Sequence, residues 1–228
     1  MTAASAHPLH ADPDRPRLAL GRLGGVDFDV VAWAPHEARV DLSFACMFEH
    51  EAAGAALAGG LLALDRALQG RLTALRASGV FRARALETLH LGELPAGMAP
   101  GALLVIGLGD PDAFDGATLE RAAELAATCA IRLGASSAAF APNLLDAGLA
   151  PGPGMPVAAT LLDGAARALA TAAALRAAGL ARPPRLRHWS FDTGAAHIDA
   201  AGREFAERFQ ALSSLQAPPP SSSTQGSP

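Results

Sequence analysis

The sequence predicts a three-layer α/β/α sandwich built on a mixed, mostly parallel sheet, and three observations carry that reading. Apolar spacing switches repeatedly along the chain between two residues and about 3.6, the periods of strand and helix. The helical stripes fall between the strand-like runs, which is the alternation that builds a sheet covered on both faces. One run, Ala102 to Ile106, is nearly all apolar, as expected of a strand buried at the centre of such a sheet. The chain has 228 residues, half of them hydrophobic and 18% charged, which suits one domain rather than two. A domain of this size buries roughly 70% of the surface its unfolded chain exposes, so it needs no metal or disulfide to hold together.

Each element follows from its own spacing. Residues 1–17 carry three prolines and little to bury, and are expected to form a disordered tail. Asp27 to Trp33 is the first strand candidate. Arg39 to Phe44 alternates, placing Val40, Leu42 and Phe44 on one face. Leu57, Leu61, Leu64, Leu68, Leu72 and Leu75 then form one helical stripe closed by Gly79. Leu86 to Leu91 reads as a short strand and Ala102 to Ile106 as the buried one. Leu119, Ala122, Ala126, Cys129 and Leu133 form a second stripe ended by Gly134. Ser136 to Ala141 is a strand of small residues, followed by a Gly/Pro-rich loop from Gly148 to Pro156. Pro156 stands where a helix would begin, and Val157, Leu161, Ala165, Leu169 and Ala172 continue it to Gly179. Leu186 to Phe191 is the last strand; Ile198, Phe205, Phe209 and Leu212 line the last helix. The folded domain is thus expected over residues 18–212, with a Pro/Ser-rich disordered tail over 213–228.

Composition removes several chemistries. All 18 basic residues are arginine, and there is no lysine or tyrosine. Lysine Schiff bases, the phosphate-loop lysine and tyrosine nucleophiles are therefore excluded. Cys46 and Cys129 cannot form a disulfide framework or a closed thiolate zinc site, and read as small buried hydrophobes. A formal charge of −4 announces no nucleic-acid partner. The N-terminus lacks the pattern of a secretory signal and no run is expected to cross a bilayer, so no membrane partner and a cytoplasmic location are expected.

The glycines carry the chemical signal. Gly59 and Gly60 stand at the head of the first long helix, and Gly148, Gly152 and Gly154 crowd the loop before the third. Helix amino ends present unpaired N–H groups and partial positive charge, and glycine lets a phosphate approach them closely. Two such loops on one side of a sheet would cradle a diphosphate. The competing reading is structural: tight helix packing at Gly59-Gly60 and a proline-stiffened connection at the second loop. Other candidates point to surface or packing roles. Glu49-His50-Glu51 lacks metal-ligand spacing and reads as surface polarity. His188 reads as a satisfied sheet histidine, and neither it nor His36 has a partnered nucleophile at a recognisable elbow. Arg182, Arg185 and Arg187 read as the solvated guard of an edge strand. No metal ligands and no catalytic residues are assigned.

The segment Glu87 to Pro111, ETLHLGELPAGMAPGALLVIGLGDP, resembles the N-terminal domain of the leucyl aminopeptidase family, which carries a "GETL" strand and an apolar strand ending in "GLGD". Gly59 to Arg84 fits the same domain's preceding region, with arginine replacing lysines, and the resemblance spans roughly residues 26–212. It implies a macro-domain-like fold related to ADP-ribose-binding modules. On that footing Gly59-Gly60 and the Gly148–Gly154 loop match the two phosphate-contacting loops. Phe191, ending the last strand, matches the aromatic set against adenine. The departures count too. Ala34-Pro35-His36-Glu37 is not the pair of asparagines that contacts the distal ribose, and Leu18 to Val26 lacks the adenine-reading aspartate.

The family's two-metal chemistry resides in a second domain with carboxylates and lysines in its site; that domain is not expected in this sequence, which has no lysine to supply. His197 to Glu204, HIDAAGRE, is similar to that domain's metal motif only superficially and reads as the start of the last helix. The resemblance therefore implies a non-catalytic module without cofactor, binding a phosphate-bearing nucleotide such as ADP-ribose. The alternative is an interaction or regulatory module that partners a separate aminopeptidase of the family, or self-associates, with no small-molecule ligand.

Overall fold

Parallel strands need cover on both faces and a crossover for each connection, and the spacing of this sequence supplies both. The computed structural model describes residues 16–144 and 155–216. Its strands are β1 (Arg17–Leu23), β2 (Val26–Val31), β3 (Leu42–Met47), β4 (Thr88–Leu91), β5 (Ala102–Gly107), β6 (Ser137–Ala141) and β7 (His188–Asp192). The helices are α1 (Glu49–Ala52), α2 (Gly59–Ala67), α3 (Arg71–Ala77), α4 (Gly116–Arg132), α5 (Val157–Ala177) and α6 (Ile198–Gln216), with a 3-10 turn at Pro111–Ala113. All seven strands join one sheet in the order β1-β2-β7-β6-β3-β5-β4. The inner pairs β2–β7, β7–β6, β6–β3 and β3–β5 are parallel; β1 and β4 close the two edges antiparallel. The predicted mixed, mostly parallel α/β sheet is the observed one.

Alternation sorts the two faces. Phe28, Val30, Leu42, Phe44, Phe140, Trp189 and Phe191 point into one core with α4, α5 and α6. Trp189 is its hub, with ring centroids 5.9 Å from Phe44 and 6.1 Å from Phe191. On the opposite face Ala45, Met47, Leu103 and Val105 meet Leu61, Leu64, Leu68 and Leu72 of α2 and α3. A loop carrying Ala38 and Val40 covers Ala139 between them.

The structure corrects several expected elements. The stripe from Leu57 to Leu75 is not one helix. The chain turns at Gln69 (φ 59°) and Gly70 (φ 78°), a left-handed pair that no α-helix continues through. Asp65 of α2 then accepts from the amide (3.0 Å) and hydroxyl (2.6 Å) of Thr73, fastening α3 back onto α2. Val40 lies before β3 and packs with Ala139, on the face opposite Leu42 and Phe44. Residues 18–26 hold most of β1 and a hairpin through Gly24-Gly25, an element the apolar spacing did not disclose. Its sequence signal was the Gly-Gly pair at a two-residue turn. Arg182, Arg185 and Arg187 precede β7, which is an interior strand between β2 and β6, so they guard no sheet edge.

A bilayer-length run does exist. α5 has 21 residues and a mean hydropathy of 1.2 over its most apolar window, enough by length and composition to span a bilayer. Its apolar face, including Leu161, Leu162, Ala165 and Leu169, is instead packed in the core.

Two contacts set the spacing of layers. A Cβ on Gly164 would lie 2.3 Å from the Glu120 carbonyl oxygen and 2.9 Å from Ala123 Cβ, so α5 rests directly on the α4 backbone. Asp41, before β3, accepts from the Ser136 amide (2.6 Å), the Ser136 hydroxyl (2.5 Å) and the Ser137 amide (3.3 Å), tying the starts of β3 and β6 together. Partial burial pushes the Asp41 carboxyl up, but the two serines and Arg185 outweigh it and hold the group below its ordinary value.

Two outcomes follow. Gly164→Ala forces α4 and α5 apart and lowers unfolding free energy by about 2–3 kcal/mol, read from urea midpoints at unchanged m-value. Asp41 is depressed in the folded state, so its contribution is complete above its unfolded value near about pH 4 and fades as pH falls through the folded one. The melting-temperature gap between wild type and Asp41→Asn should therefore be full at neutral pH and narrow in acid; a gap independent of pH contradicts this.

Candidate functional site

In open α/β sheets the ligand crevice lies at the carboxyl ends of parallel strands, where neighbouring strands send their connections to opposite faces. That point falls between β3 and β6 here. From β3 the chain passes through α1 to α2 on one face, and from β6 it passes to α5 on the other. Gly59 and Gly60 end the first connection. Gly148, Gly152 and Gly154 belong to the second and lie outside the described residues.

The amino end of α2 has the features expected of an anion site. Ala58 is extended (φ −127°, ψ 171°), no side chain caps the helix, and the first turn holds no acidic residue. Gly59 is exposed at φ 46°, a left-handed conformation that glycine adopts without strain, while Gly60 is half-buried. By contrast the amino ends after β5 are occupied by the protein's own carboxylates. Asp110 accepts from the Asp112 amide (3.0 Å), and Asp115 caps α4 through the Thr118 amide (2.7 Å) and hydroxyl (2.8 Å).

Glu51 is buried, not surface polarity: its carboxylate accepts from the Phe48 amide at 2.8 Å and closes α1. The Phe48 ring packs edge-on against Phe114 at 5.1 Å, joining the turns that follow β3 and β5.

Phe191 is placed differently from the expectation that it faces a base. It is fully buried and stacks on Phe205 at 4.6 Å, because strand alternation directs it, with Trp189, into the helical core. The opposite face of β7 presents His188, Ser190 and Asp192. Asp192 is buried and accepts from the amides of Trp33 (3.1 Å) and Gly194 (3.0 Å), clamping the carboxyl ends of β2 and β7. His188 Nε2 lies 3.0 Å from the Asp29 carboxylate and 3.3 Å from the Ser190 hydroxyl, and Arg17 Nε donates to the same carboxylate. His188 is thus the satisfied sheet histidine the sequence suggests; its partner Asp29 was missed, and the trace of it is the pair Asp27 and Asp29 in VDFDVV, out of phase with Phe28 and Val30.

The "ETL" and "GLGD" segments turn out to hold each other. Glu87 accepts from the Arg82 (3.2 Å) and Arg84 (3.0 Å) amides. The Gly107 amide donates to the Glu87 carbonyl at 2.7 Å, and the Gly109 amide to the Ala83 carbonyl at 2.9 Å. A Cβ on Gly107 would stand 2.1 Å from the Arg84 carbonyl oxygen, so only glycine fits. The motif is a clasp at the end of β5.

With this geometry in place, the likeness to known proteins has a physical basis. The profile of the cytosol aminopeptidase family, N-terminal domain, matches residues 47–150. That match, over a little less than half of the chain, is what makes it similar to the N-terminal domain of this family. The clasp from Glu87 to Gly109 lies inside that match. No curated protein matches the chain by sequence.

Among solved structures, a variant of tomato leucine aminopeptidase superposes with a TM-score of 0.53 at 16% identity, over 86% of this chain and 37% of its own. The chain thus spans little more than a third of that enzyme. A variant Oceanobacillus iheyensis macrodomain with ADPR gives 0.57 at 11% identity, covering 87% of this chain and all of the other. A Trypanosoma brucei macrodomain in complex with ADP gives 0.56 at 13%, over 79% and 68%. At these identities the superpositions show a shared fold alone, and that fold is macrodomain-like.

Neither thiol is poised for chemistry. Burial, and then the Glu51 carboxylate, push the Cys46 thiol far up; burial raises Cys129, with Arg132 opposing. Cys46 should therefore resist an aromatic disulfide reagent in the native protein and react on unfolding; rapid native labelling would contradict its burial. A second outcome concerns the clasp. Glu87→Ala leaves the Arg82 and Arg84 amides without this acceptor and should cost about 1–3 kcal/mol in urea unfolding.

Proposed function

We propose that this N-terminal-type domain binds a phosphate-bearing nucleotide of the ADP-ribose class, the diphosphate lying at the amino end of α2 across the β3–β6 switch point. The observation that carries the reading is that this helix amino end, at the ligand-binding edge of the sheet, has an exposed glycine and no side-chain cap. Main-chain N–H groups and the helix dipole favour an anion there. Macrodomains of the same fold hold ADP and ADPR. Gly148, Gly152 and Gly154 are proposed to complete the cradle from the second connection. With Phe191 in the core, the base is not held by that ring, and the cradle selects phosphate more than base.

The domain's role in this reading is binding, not turnover. A site built of main-chain donors supplies charge stabilisation but no proton acceptor and no nucleophile.

Titration calorimetry with ADP-ribose and ADP tests the reading, alongside the rise in melting temperature that mass action requires of a ligand bound only to the folded state. Asn and Asp both tolerate the backbone at Gly59. Gly59→Asn should retain binding within a few-fold, whereas Gly59→Asp, adding a negative charge at the cradle, should weaken it at least about tenfold, or about 1.4 kcal/mol. No heat and no thermal shift at millimolar nucleotide would overturn the proposal.

A further inference from the structure

We propose that the second half of α5 attaches this chain to the surface of an anionic lipid bilayer, its apolar tip entering the interface and a collar of arginines meeting the headgroups. The site lies at the amino edge of the sheet, the opposite edge from the α2 amino end, and does not depend on nucleotide. The first half of α5 is committed to the core through Leu161, Leu162, Ala165 and Leu169, so the helix does not cross the bilayer. Attachment to a surface needs no crossing.

α5 is longer than the sheet it covers. Its 21 residues extend about 31 Å at 1.5 Å per residue, whereas strands of the length of β3 and β6 span roughly 17–20 Å. The helix leaves the carboxyl end of β6 and therefore ends at the amino edge, where β7 begins. From Ala170 to Arg182 no residue is buried. Residues 173–177 are all exposed, and five successive residues cover the whole circumference of a helix. Yet residues 170–181, ATAAALRAAGLA, carry one charge, Arg176, and one hydroxyl, Thr171. Leu175 is 43% exposed and Leu180 76%. A helix that is apolar all round belongs in an apolar medium, but only 39% of the most apolar window of α5 is buried in the protein. The tip also closes on itself. Gly179 (φ 72°) ends the helix, and the amides of Gly179 and Leu180 donate to the carbonyls of Arg176 (3.0 Å) and Leu175 (2.8 Å). Those carbonyls are thereby satisfied without water, as entry into an interface requires.

The surroundings of the tip are basic. Arg176, Arg182, Arg185 and Arg187 are exposed on it and on the connection into β7, and Arg132 with Leu133 ends α4 at the same edge. α6 follows β7 in the same sense and brings Leu215, 81% exposed, there too. Residues 131–136, 170–187 and 208–216 contain no acid. The acids at the neighbouring strand starts are Asp27 and Asp41. Asp27 lies beside Arg187 but is paired through both oxygens with Arg22, at 2.7 Å each. Asp41 is held by Ser136 and Ser137 near Arg185. Glu93 follows β4, at the far edge of the sheet. Arg22 and the five arginines above thus outnumber two engaged aspartates, and the surplus is positive. A protein groove covers one side of a helix, whereas a lipid interface surrounds it. Anionic headgroups complement the arginines, each of which raises partition roughly fivefold. A second copy set tip to tip would bring two basic collars together.

Co-sedimentation of the full chain with vesicles, without nucleotide, tests the proposal. The chain should pellet with vesicles of equal parts phosphatidylcholine and phosphatidylglycerol at about 0.1 M salt, and not with phosphatidylcholine alone. Binding should fall at about 1 M salt, where the Debye length shrinks from about 10 Å to about 3 Å. Leu175→Gln with Leu180→Gln should lower the partition coefficient at least about tenfold. Arg176→Gln with Arg182→Gln should lower it about twentyfold. Unchanged melting temperatures show that the variants fold, and either pair alone suffices if the other does not. No pelleting with the anionic vesicles would overturn the proposal, and so would binding indifferent to both pairs. Self-association without lipid that the leucine pair abolishes would assign the tip to a second copy and overturn it as well.

Discussion

The parallel pairing of β3 with β6 governs most of what this molecule can do. Parallel neighbours must be reached by crossovers, and here the two crossovers leave for opposite faces. Among the described residues, neither helix layer lies over the carboxyl ends of the two strands, and α2 follows β3 on that side of the sheet. The phosphate site we propose rests on topology before it rests on side chains.

The helical layer can lie close to this sheet because its contact residues are small. β6 contributes Ala138 and Ala139, α4 contributes Ala122, Ala123, Ala126 and Ala130, and α5 contributes Gly164, Ala165 and Ala168. Small residues on both sides shorten the distance between backbones, and the large rings are confined to the hub around Trp189. The same composition leaves the far end of α5 with little to pack against, and its Leu175 and Arg176 face outward.

Residues that mark the family are structural in this protein. Glu87, Gly107 and Gly109 are engaged with the turn over residues 82–87, and the Gly109 carbonyl also accepts from the Glu49 amide that opens α1. A clasp of main-chain hydrogen bonds depends on a glycine that no other residue can replace, so it is a specific sequence signal with no chemical activity. The family likeness thus reports a fold, and the case for a ligand rests on helix geometry at Gly59.

The sequence by itself determined the alternation of strands and helices, the order of the main elements and the position of the glycine clusters. Those features depend on local spacing, which a single chain displays directly. It did not determine the break at Gln69-Gly70, because Leu68, Leu72 and Leu75 keep helical spacing across a left-handed turn that ends one helix and starts another. It did not reveal β1, where Leu18 and Leu20 alternate only briefly before Gly21 and Arg22 and whose place is fixed by pairing with β2. Nor could it decide the direction of Phe191, since one strand has two faces and only the packing of α6 says which is interior. Tertiary structure decided these points because each depends on which residues distant in the chain become neighbours.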